Sequence, residues 1–399
     1  MKTALADTFE RLDTLLSEHR QWWQFQPFHT RNSRWESQAP TLHKRLMQLS
    51  PDQLAWLTVD AQQRRDFLQH WLPVVDELEQ LCQLPQLQGR TIAHDAHLEH
   101  GIGGRKWAQV IAFAALVPAQ QPIVEWCSGK GHLGRVLAAN GATQVNSLER
   151  EAALCRSGEA LANRAGVAMT FHQRDVLRDA LDGLLRADSH CVALHACGEL
   201  HMHLLQQVVA HRGLAISVAP CCYYLLPQDS YTPMSTAAQR SELRLSKSDL
   251  HIPLRETVTG GARARRWRSQ ELRWRLAFDC LQRELRQQDV YLPLPTIARH
   301  LLGGSFVDFI HWALRNRGLP AQRIRQPDKY LQQAEARLPA IQQMELVQQV
   351  FQRPLELWLA LDRALYLQDN GYCVSVGEFC ARQLTPRNIL IQATRRHAA

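Results

Sequence analysis

The chain has 399 residues, 45% of them hydrophobic and 21% charged, with a formal net charge of +8 and a sequence pI of about 9.1. This composition is typical of a globular protein and excludes a disordered chain, and the length allows two or three domains. No stretch reaches the roughly 18 apolar residues that a membrane helix needs, and the N-terminus carries acids where a signal peptide is apolar, so we expect a soluble, cytoplasmic protein.

Residues 1–95 are predicted to form a helical N-terminal region with few strands. Ala4–His19 places its apolar residues on one helical face, and Ser50 followed by Pro51 is typical of a helix start. We find no catalytic pattern in this region. Three of its tryptophans are interpreted as packing residues, namely Trp22, Trp23 and Trp35.

Residues 96–225 alternate between strand and helix patterns, which predicts a parallel sheet with helical crossovers. The predicted strands are Pro122–Glu125, Gln144–Leu148, Met169–Gln173, Cys191–His195 and Ala215–Ala219. Residues 226–350 lose this alternation and are predicted to be a helical, Arg-rich insertion. The pattern returns over residues 351–399 with a helix and two further strands, Cys373–Phe379 and Ile389–Ala393. We therefore expect an α/β, Rossmann-like fold with one seven-stranded sheet.

The segment Ile123–Gly134 is the most informative part of the sequence. An apolar strand ends near Glu125, turns through Gly129 and Gly131, and opens a helix whose free N–H groups face the turn. This pattern predicts a nucleotide or nucleoside pocket. The glycines also fit a dinucleotide motif, but a carboxylate at residue 125 would repel a pyrophosphate and would suit the cationic amino group of S-adenosylmethionine.

With these elements placed, the sequence resembles the seven-stranded S-adenosylmethionine-dependent methyltransferases. It is most similar to a group that carries a Leu-His-x-Cys-Gly motif followed by Cys-Cys-Tyr or Cys-Cys-His. This group includes the methyltransferase domain of glutathione S-transferase C-terminal-domain-containing protein and the ribosomal RNA adenine dimethylase domain-containing proteins, and acceptor-stem tRNA 2′-O-methyltransferases are similar. The matching motifs are Glu125–Gly134, Leu194-His-Ala-Cys-Gly-Glu-Leu200, Pro220-Cys-Cys-Tyr223 and Leu384-Thr-Pro-Arg-Asn388.

The resemblance implies S-adenosylmethionine as the cofactor and assigns roles to residues at successive strand ends. Glu125 would hold the amino group of the methionine portion, Glu149 the ribose hydroxyls and Asp175 the adenine amino group. Cys127 replaces the first glycine of the usual turn. The complete set of expected cofactor residues is Glu125, Cys127, Gly129, Gly131, His132, Glu149, Asp175 and His195.

The ends of the fourth and fifth strands should bring His195, Cys197, Cys221, Cys222 and Tyr223 together. His195 could act as a general base, the thiols with His195 could bind zinc, or the group could form a tight, partly apolar wall. A cysteine nucleophile for pyrimidine C5 is a further possibility. We predict catalytic roles for His195, Cys197, Cys222 and Tyr223 and no metal, because the ten cysteines include no CxxC pair and adjacent cysteines rarely chelate one ion well.

The insertion carries nine arginines against four acids between residues 255 and 286. This surplus is either a solvated basic face or a surface that follows phosphates, since Arg forks onto phosphate oxygens. We predict RNA, either tRNA or rRNA, as the partner, with no DNA or membrane, and Arg265, Arg268 and Arg275 as substrate-binding residues. The alternative functions are a non-catalytic RNA- or protein-binding adaptor with the same fold and an NAD(P)-dependent oxidoreductase.

Overall fold

The computed structural model describes residues 3–30, 35–181, 183–255, 262–320 and 326–396, with backbone alone over 262–265. These residues fall into two compact units. The first contains residues 1–20, 77–258 and 351–399, and the second contains residues 21–76 and 259–350. No helix in the described ranges combines the length and the apolar character that crossing a membrane requires.

A seven-stranded sheet lies in the first unit. Its strand order is β3-β2-β1-β4-β5-β7-β6, with β1 to β5 parallel and β7 antiparallel to both of its neighbours. The strands are β1 (Pro122–Trp126), β2 (Gln144–Glu149), β3 (Thr170–Gln173), β4 (His190–Ala193), β5 (Ala215–Val218), β6 (Tyr372–Glu378) and β7 (Ile389–Arg395).

The α-helices of the described residues follow in chain order, with the 3₁₀ segments left out. They are α1 (Ala4–Glu18), α2 (Arg20–Trp23), α3 (Trp35–Gln38), α4 (Pro40–Met47), α5 (Pro51–Val59), α6 (Ala61–Leu68), α7 (Val74–Leu81), α8 (Ala96–Glu99), α9 (Gly104–Ala114), α10 (His132–Ala139), α11 (Ala152–Arg164), α12 (Glu199–Ala210), α13 (Thr236–Arg240), α14 (Ala262–Arg286), α15 (Arg299–Leu302), α16 (Phe306–Asn316), α17 (Pro327–Gln348) and α18 (Gln352–Asp369).

The predicted α/β fold with seven strands is confirmed, and each strand lies within two residues of its predicted bounds. The strands were predictable because β4 and β5 are mostly apolar and wholly buried, as expected for a parallel sheet covered on both faces. One apolar cluster packs α9 and α10 against the sheet and includes Trp107, Phe113, Ile123, Val136 and Val145.

The boundaries of the two units differ from the domain boundaries predicted from the sequence. Residues 3–20 and 226–255 pack with the sheet because polar bonds tie them to α18. Asp13 accepts from Trp358 Nε1 at 2.8 Å, and Asp362 accepts from the backbone N–H of Ser235 at 2.7 Å. These bonds satisfy carboxylates that would otherwise be costly to bury, so α18 is held at both of these segments.

The second unit is helical. Ser50 caps α5 as predicted, in a capping box in which Gln53 N–H donates to Ser50 Oγ at 3.2 Å and Ser50 N–H donates to the Gln53 side chain at 2.9 Å. α14 packs against α17, and Trp274 and Phe278 of α14 are buried, with the Trp274 ring against Phe306 and Phe309 of α16. These apolar residues lie at helical spacing and form part of the core.

Candidate active site

The turn after β1 adopts left-handed backbone at three residues. The φ angles are 52° at Cys127, 58° at Gly129 and 64° at Gly131. The Gly131 N–H closes the turn by donating to Ser128 O at 2.9 Å, and Gly131 then caps α10. Cys127 therefore adopts the left-handed conformation that a glycine in this place of the motif would take without strain.

The three glycines of this segment serve different purposes. A Cβ on Gly131 would lie 2.6 Å from Phe171 Cζ, and one on Gly134 would lie 2.5 Å from Glu125 Oε2. These two positions are glycine because protein atoms crowd them. A Cβ on Gly129 would meet nothing within 4 Å, so this residue presents its backbone to open space where a ligand could approach.

Glu125 lies inside the fold, below the turn. It is 4% exposed, and its Oε2 accepts from Ser147 Oγ at 2.7 Å. Burial raises the pKa of Glu125 to about 7, opposed by hydrogen bonds from Ser147 and the Gly134 N–H. The prediction that this carboxylate holds a cofactor amino group does not fit the geometry, because the side chain points to β2 and α10 instead of the pocket. The charge argument against a dinucleotide therefore loses its support at this residue.

Glu149, at the end of β2, contacts the turn directly. Its Oε2 accepts from the Gly129 N–H at 2.9 Å and its Oε1 accepts from the Glu151 N–H at 2.9 Å. The residue is half-buried, and each carboxylate oxygen has a second lone pair for a further donor. Glu149 thus fixes the open face of the turn, and its carboxylate oxygens can still accept further hydrogen bonds there.

Asp175 follows β3, the strand beside β2. The residue is half-buried, its Oδ1 accepts from the Leu177 N–H at 3.2 Å, and its Oδ2 lies 3.9 Å from Arg178 Nε. Because β1, β2 and β3 are adjacent and parallel, Glu149 and Asp175 lie on the same carboxyl edge of the sheet as the glycine turn.

Arg135, in the first turns of α10, is a site residue that sequence reasoning missed. It is fully buried, donates through Nη1 to Lys130 O at 2.8 Å, and lies 2.6 Å from His132 Nδ1 through Nη2. Burial of the ring, followed by the charge of Arg135, lowers the pKa of His132 to about 4. His132 is therefore neutral at pH 7 and supports the turn from below, and an arginine in an otherwise apolar helix face was the available signal.

The loops after β4 and β5 meet in a close backbone contact. Gly198 has a φ of 57°, and a Cβ on it would lie 2.0 Å from Leu225 O. The Glu199 N–H donates to that same oxygen at 2.9 Å. The Leu-His-Ala-Cys-Gly motif thus ends in glycine because only glycine lets the two loops approach this closely.

This contact brings the predicted thiols together. Cys197 Sγ lies 2.8 Å from Cys221 Sγ, and Cys222 Sγ is within 4.8 Å of both. Thiol hydrogen bonds lower the pKa of Cys222, and the charge of Arg387 acts in the same direction. His195 is exposed, yet partial burial of its ring lowers its pKa to about 4, with Lys106 adding to the effect.

Tyr223 faces away from any open surface. The residue is fully buried, and its ring lies under the Arg363 guanidinium at 4.9 Å. Burial raises the pKa of Tyr223, so the phenol is protonated at neutral pH. The expected catalytic role does not fit a side chain without access to a substrate, and the geometry makes Tyr223 part of the support beneath the cysteines.

Arg387, from the Leu-Thr-Pro-Arg-Asn motif, is a second residue that the sequence reasoning did not place in the site. Its Nη1 lies 3.1 Å from Glu356 Oε1, and its Nη2 donates to Pro253 O. Glu356 is fully buried and also accepts from Arg353 Nη1 at 2.8 Å. These bonds hold the Arg387 side chain close enough to Cys222 to affect its pKa.

The predicted substrate arginines lie in the second unit. The side chain of Arg265 is outside the described residues. Arg268 is exposed on α14. Arg275 is directed inward: it donates to Glu271 Oε1 at 2.8 Å and to the carbonyl oxygens of Leu294 and Pro295 at 3.2 and 2.9 Å. This pairing explains Arg275 as a structural residue and does not fit a phosphate contact.

Comparisons with known proteins agree with the location of this site. Residues 105–229 match a family model described as a methyltransferase domain. A stretch of 103 residues is 34% identical to the glutathione S-transferase C-terminal domain-containing protein of Xenopus laevis, covering 25% of this chain and 16% of that protein. The chain therefore spans only a small part of this relative's length.

Solved structures share part of the fold at low similarity. A tRNA (uracil-54, C5)-methyltransferase from Pyrococcus abyssi, in complex with S-adenosyl-L-homocysteine, is 19% identical over 29% of this chain and 28% of its own, with a TM-score of 0.25. A ribosomal protein L11 methylase from Lactobacillus delbrueckii subsp. bulgaricus is 16% identical over 28% of this chain and 56% of its own, with a TM-score of 0.24.

The contact between Gly198 and Leu225 predicts a strong effect of one methyl group. Gly198→Ala combines a left-handed φ, which costs about 1–2 kcal/mol for an alanine, with a clash against a backbone oxygen. We expect a loss of unfolding free energy clearly above that cost, measured by urea denaturation. Gly166→Ala is the matched control, because Gly166 has a φ of 65° and nothing within 4 Å of its Cβ. Equal losses in the two variants would contradict the close contact.

The buried Glu125 predicts a pH-dependent stability. The pKa of the Glu125 carboxyl rises from 4.5 to about 7 on folding. Its contribution to the unfolding free energy is therefore fully present below about pH 4.5 and is lost as the pH rises through 7. Glu125→Gln removes the titrating carboxyl and with it this pH-dependent loss of stability. We expect the variant to gain up to about 3 kcal/mol of unfolding free energy relative to the wild type between pH 5 and 8.5. The prediction would be refuted if urea unfolding showed the same difference in unfolding free energy between the variant and the wild type at every pH in this range.

Proposed function

We propose that the protein is a methyltransferase that uses S-adenosylmethionine and acts on RNA. The observation that carries the first part is the bond between Glu149 and the Gly129 N–H at the carboxyl edge of the sheet. Residues 105–229, which include both partners, match a methyltransferase domain family. In open α/β sheets this edge is where ligands bind. The same family resemblance supports the cofactor.

The carboxyl edge offers the groups that an adenosyl ligand needs. The backbone at Gly129 is open toward solvent and suits close approach of the methionine portion. Glu149 has two oxygens for two neighbouring ribose hydroxyls, and half-buried Asp175 has an acceptor for an adenine amino group. Both carboxylates are fixed by backbone N–H groups, so they need little reorganisation on binding.

Methyl transfer from a sulfonium is an in-line displacement that depends mainly on positioning of the nucleophile and removal of its proton. His195 stands on the loop after β4, and its lowered pKa keeps the ring neutral and able to accept a proton at pH 7. Lys106, whose charge lowers the pKa of both His132 and His195, lies near both rings. His195 is thus the candidate base beside the thiols.

The RNA part of the proposal depends on charge. The net charge of +8 favours an acidic partner. On α14, Arg266 and Arg268 are exposed, and the Arg299 guanidinium lies 5.9 Å from the Trp267 ring centre. Exposed guanidinium groups suit phosphate oxygens and supply affinity without sequence specificity. These residues replace Arg275 as the proposed phosphate contacts.

Calorimetry with S-adenosylmethionine tests the cofactor pocket. Glu149→Ala removes both the ribose acceptor and the anchor of Gly129, and Gly129→Val places a branched side chain in the open space. We expect binding at least about tenfold weaker in each. Glu151→Ala is the control, because its exposed carboxylate is two residues away and makes no cap bond. Unchanged affinity in both pocket variants would refute the assignment.

Transfer of tritium from labelled cofactor tests the acceptor. We expect label in total RNA taken from cells that lack this protein, and label only in protein or small molecules would remove RNA from the proposal. Arg268→Glu should lower RNA affinity and reduce the salt slope by about 1 or more. Arg45→Glu makes the same charge change at an exposed residue of α4 and should leave the slope unchanged.

A further inference from the structure

Three thiols from two separate loops meet at one point of the first unit. The Sγ atoms of Cys197, Cys221 and Cys222 all lie within 4.8 Å of one another, and those of Cys197 and Cys221 are 2.8 Å apart. Cys221 is buried, and the other two are half-buried. Within the residues that the structure describes, this is the group with the spacing of a metal site.

We propose that Cys197, Cys221 and Cys222 form a binding site for one zinc ion. A zinc–sulfur bond of about 2.3 Å places the sulfurs of a tetrahedral site about 3.8 Å apart. One pair of the observed sulfurs is 2.8 Å apart and all three lie within 4.8 Å of one another, so small side-chain rotations bring all three to bonding distance. Thiolate sulfur is also the ligand that selects zinc over hard cations such as magnesium.

The objection that adjacent cysteines chelate poorly holds for a strand, where successive side chains point to opposite faces. Cys221 and Cys222 follow β5 in irregular backbone, and both sulfurs lie within reach of Cys197. The close contact of Gly198 with Leu225 holds the two loops in this position. The chain therefore presents the three ligands without a change of the fold.

The surrounding charge suits zinc bound by three thiolates. Such a group carries a net charge of −1, and Arg387 precedes β7 at the carboxyl end of β5, where Glu356 fixes its guanidinium. A disulfide between Cys197 and Cys221 would use two of the sulfurs, at about 2.05 Å, and would leave the third without a function. The convergence of all three favours the metal.

Three protein ligands leave the fourth coordination position open to water or to an acceptor atom of a substrate. The site adjoins the glycine turn, because β1 and β4 are adjacent parallel strands and the loops that follow them share one edge of the sheet. Zinc here would therefore lie at the carboxyl edge, beside the proposed cofactor pocket. Zinc binding itself does not depend on methyl transfer, so the two proposals can fail separately.

Metal analysis of the full-length reduced protein tests the site. We expect about one zinc per chain, and a thiolate-to-cobalt charge-transfer band when cobalt replaces it. Cys197→Ser, Cys221→Ser and Cys222→Ser should each weaken zinc binding by at least about tenfold in competition with a chromophoric chelator. Cys373→Ser, which changes an exposed cysteine outside the group, should bind zinc like the wild type.

The wild-type cobalt spectrum keeps the test decisive if a variant does not fold. No stoichiometric zinc and no charge-transfer band in the reduced wild type would overturn the proposal. So would a zinc content that the three substitutions leave unchanged, or a Cys197–Cys221 disulfide found by mass spectrometry in protein that binds no metal after reduction. Calorimetry with S-adenosylmethionine on the same samples reports separately on the cofactor pocket.

Discussion

The candidate active site depends on the contact between Gly198 and the carbonyl oxygen of Leu225. β4 and β5 are parallel neighbours, so the loops that follow them leave the sheet side by side. Only the absence of a Cβ at Gly198 lets the loops approach until the Glu199 N–H bonds that oxygen. Cys197 then faces Cys221 and Cys222. A larger residue would separate the loops, and with them the thiols and His195.

Buried charge on α18 supports this arrangement from the other side. Arg353 and Glu356 pair inside the fold, and Glu356 also holds Arg387 of the turn before β7. Arg363 bonds His201 Nε2 at 2.7 Å and lies over the Tyr223 ring. Removing one partner of such a group leaves an uncompensated buried charge, which costs far more than an exposed pair contributes. The network therefore helps to fix the positions of these loops.

The sheet was predictable because its strands are short apolar runs bounded by turn residues, and the glycine turn because its pattern is local. The direction of the Glu125 side chain was not predictable from the sequence. A strand end marks where a residue lies along the sheet, but whether its carboxylate faces a ligand or a neighbour such as Ser147 depends on the packing of α10. Arg135, Arg387 and the inward Arg275 were likewise misplaced or missed, because burial of a charge depends on partners distant in sequence. The predicted domain boundaries differ from those of the two compact units for the same reason. Asp13 accepts from Ser241, which follows α13, and from Trp358 on α18.

The choice between an adenosyl sulfonium and a dinucleotide now depends on the sheet instead of on Glu125. A dinucleotide-binding sheet consists of two parallel halves, each of which binds one nucleotide. Here the first half is intact, with β1, β2 and β3 parallel, but the antiparallel β7 follows β5 in the second half. The loop after β5 carries Cys221 and Cys222 at the edge where a second nucleotide would bind. One adenosine site beside a reactive cluster suits a ligand with a single nucleoside, and this favours the sulfonium compound.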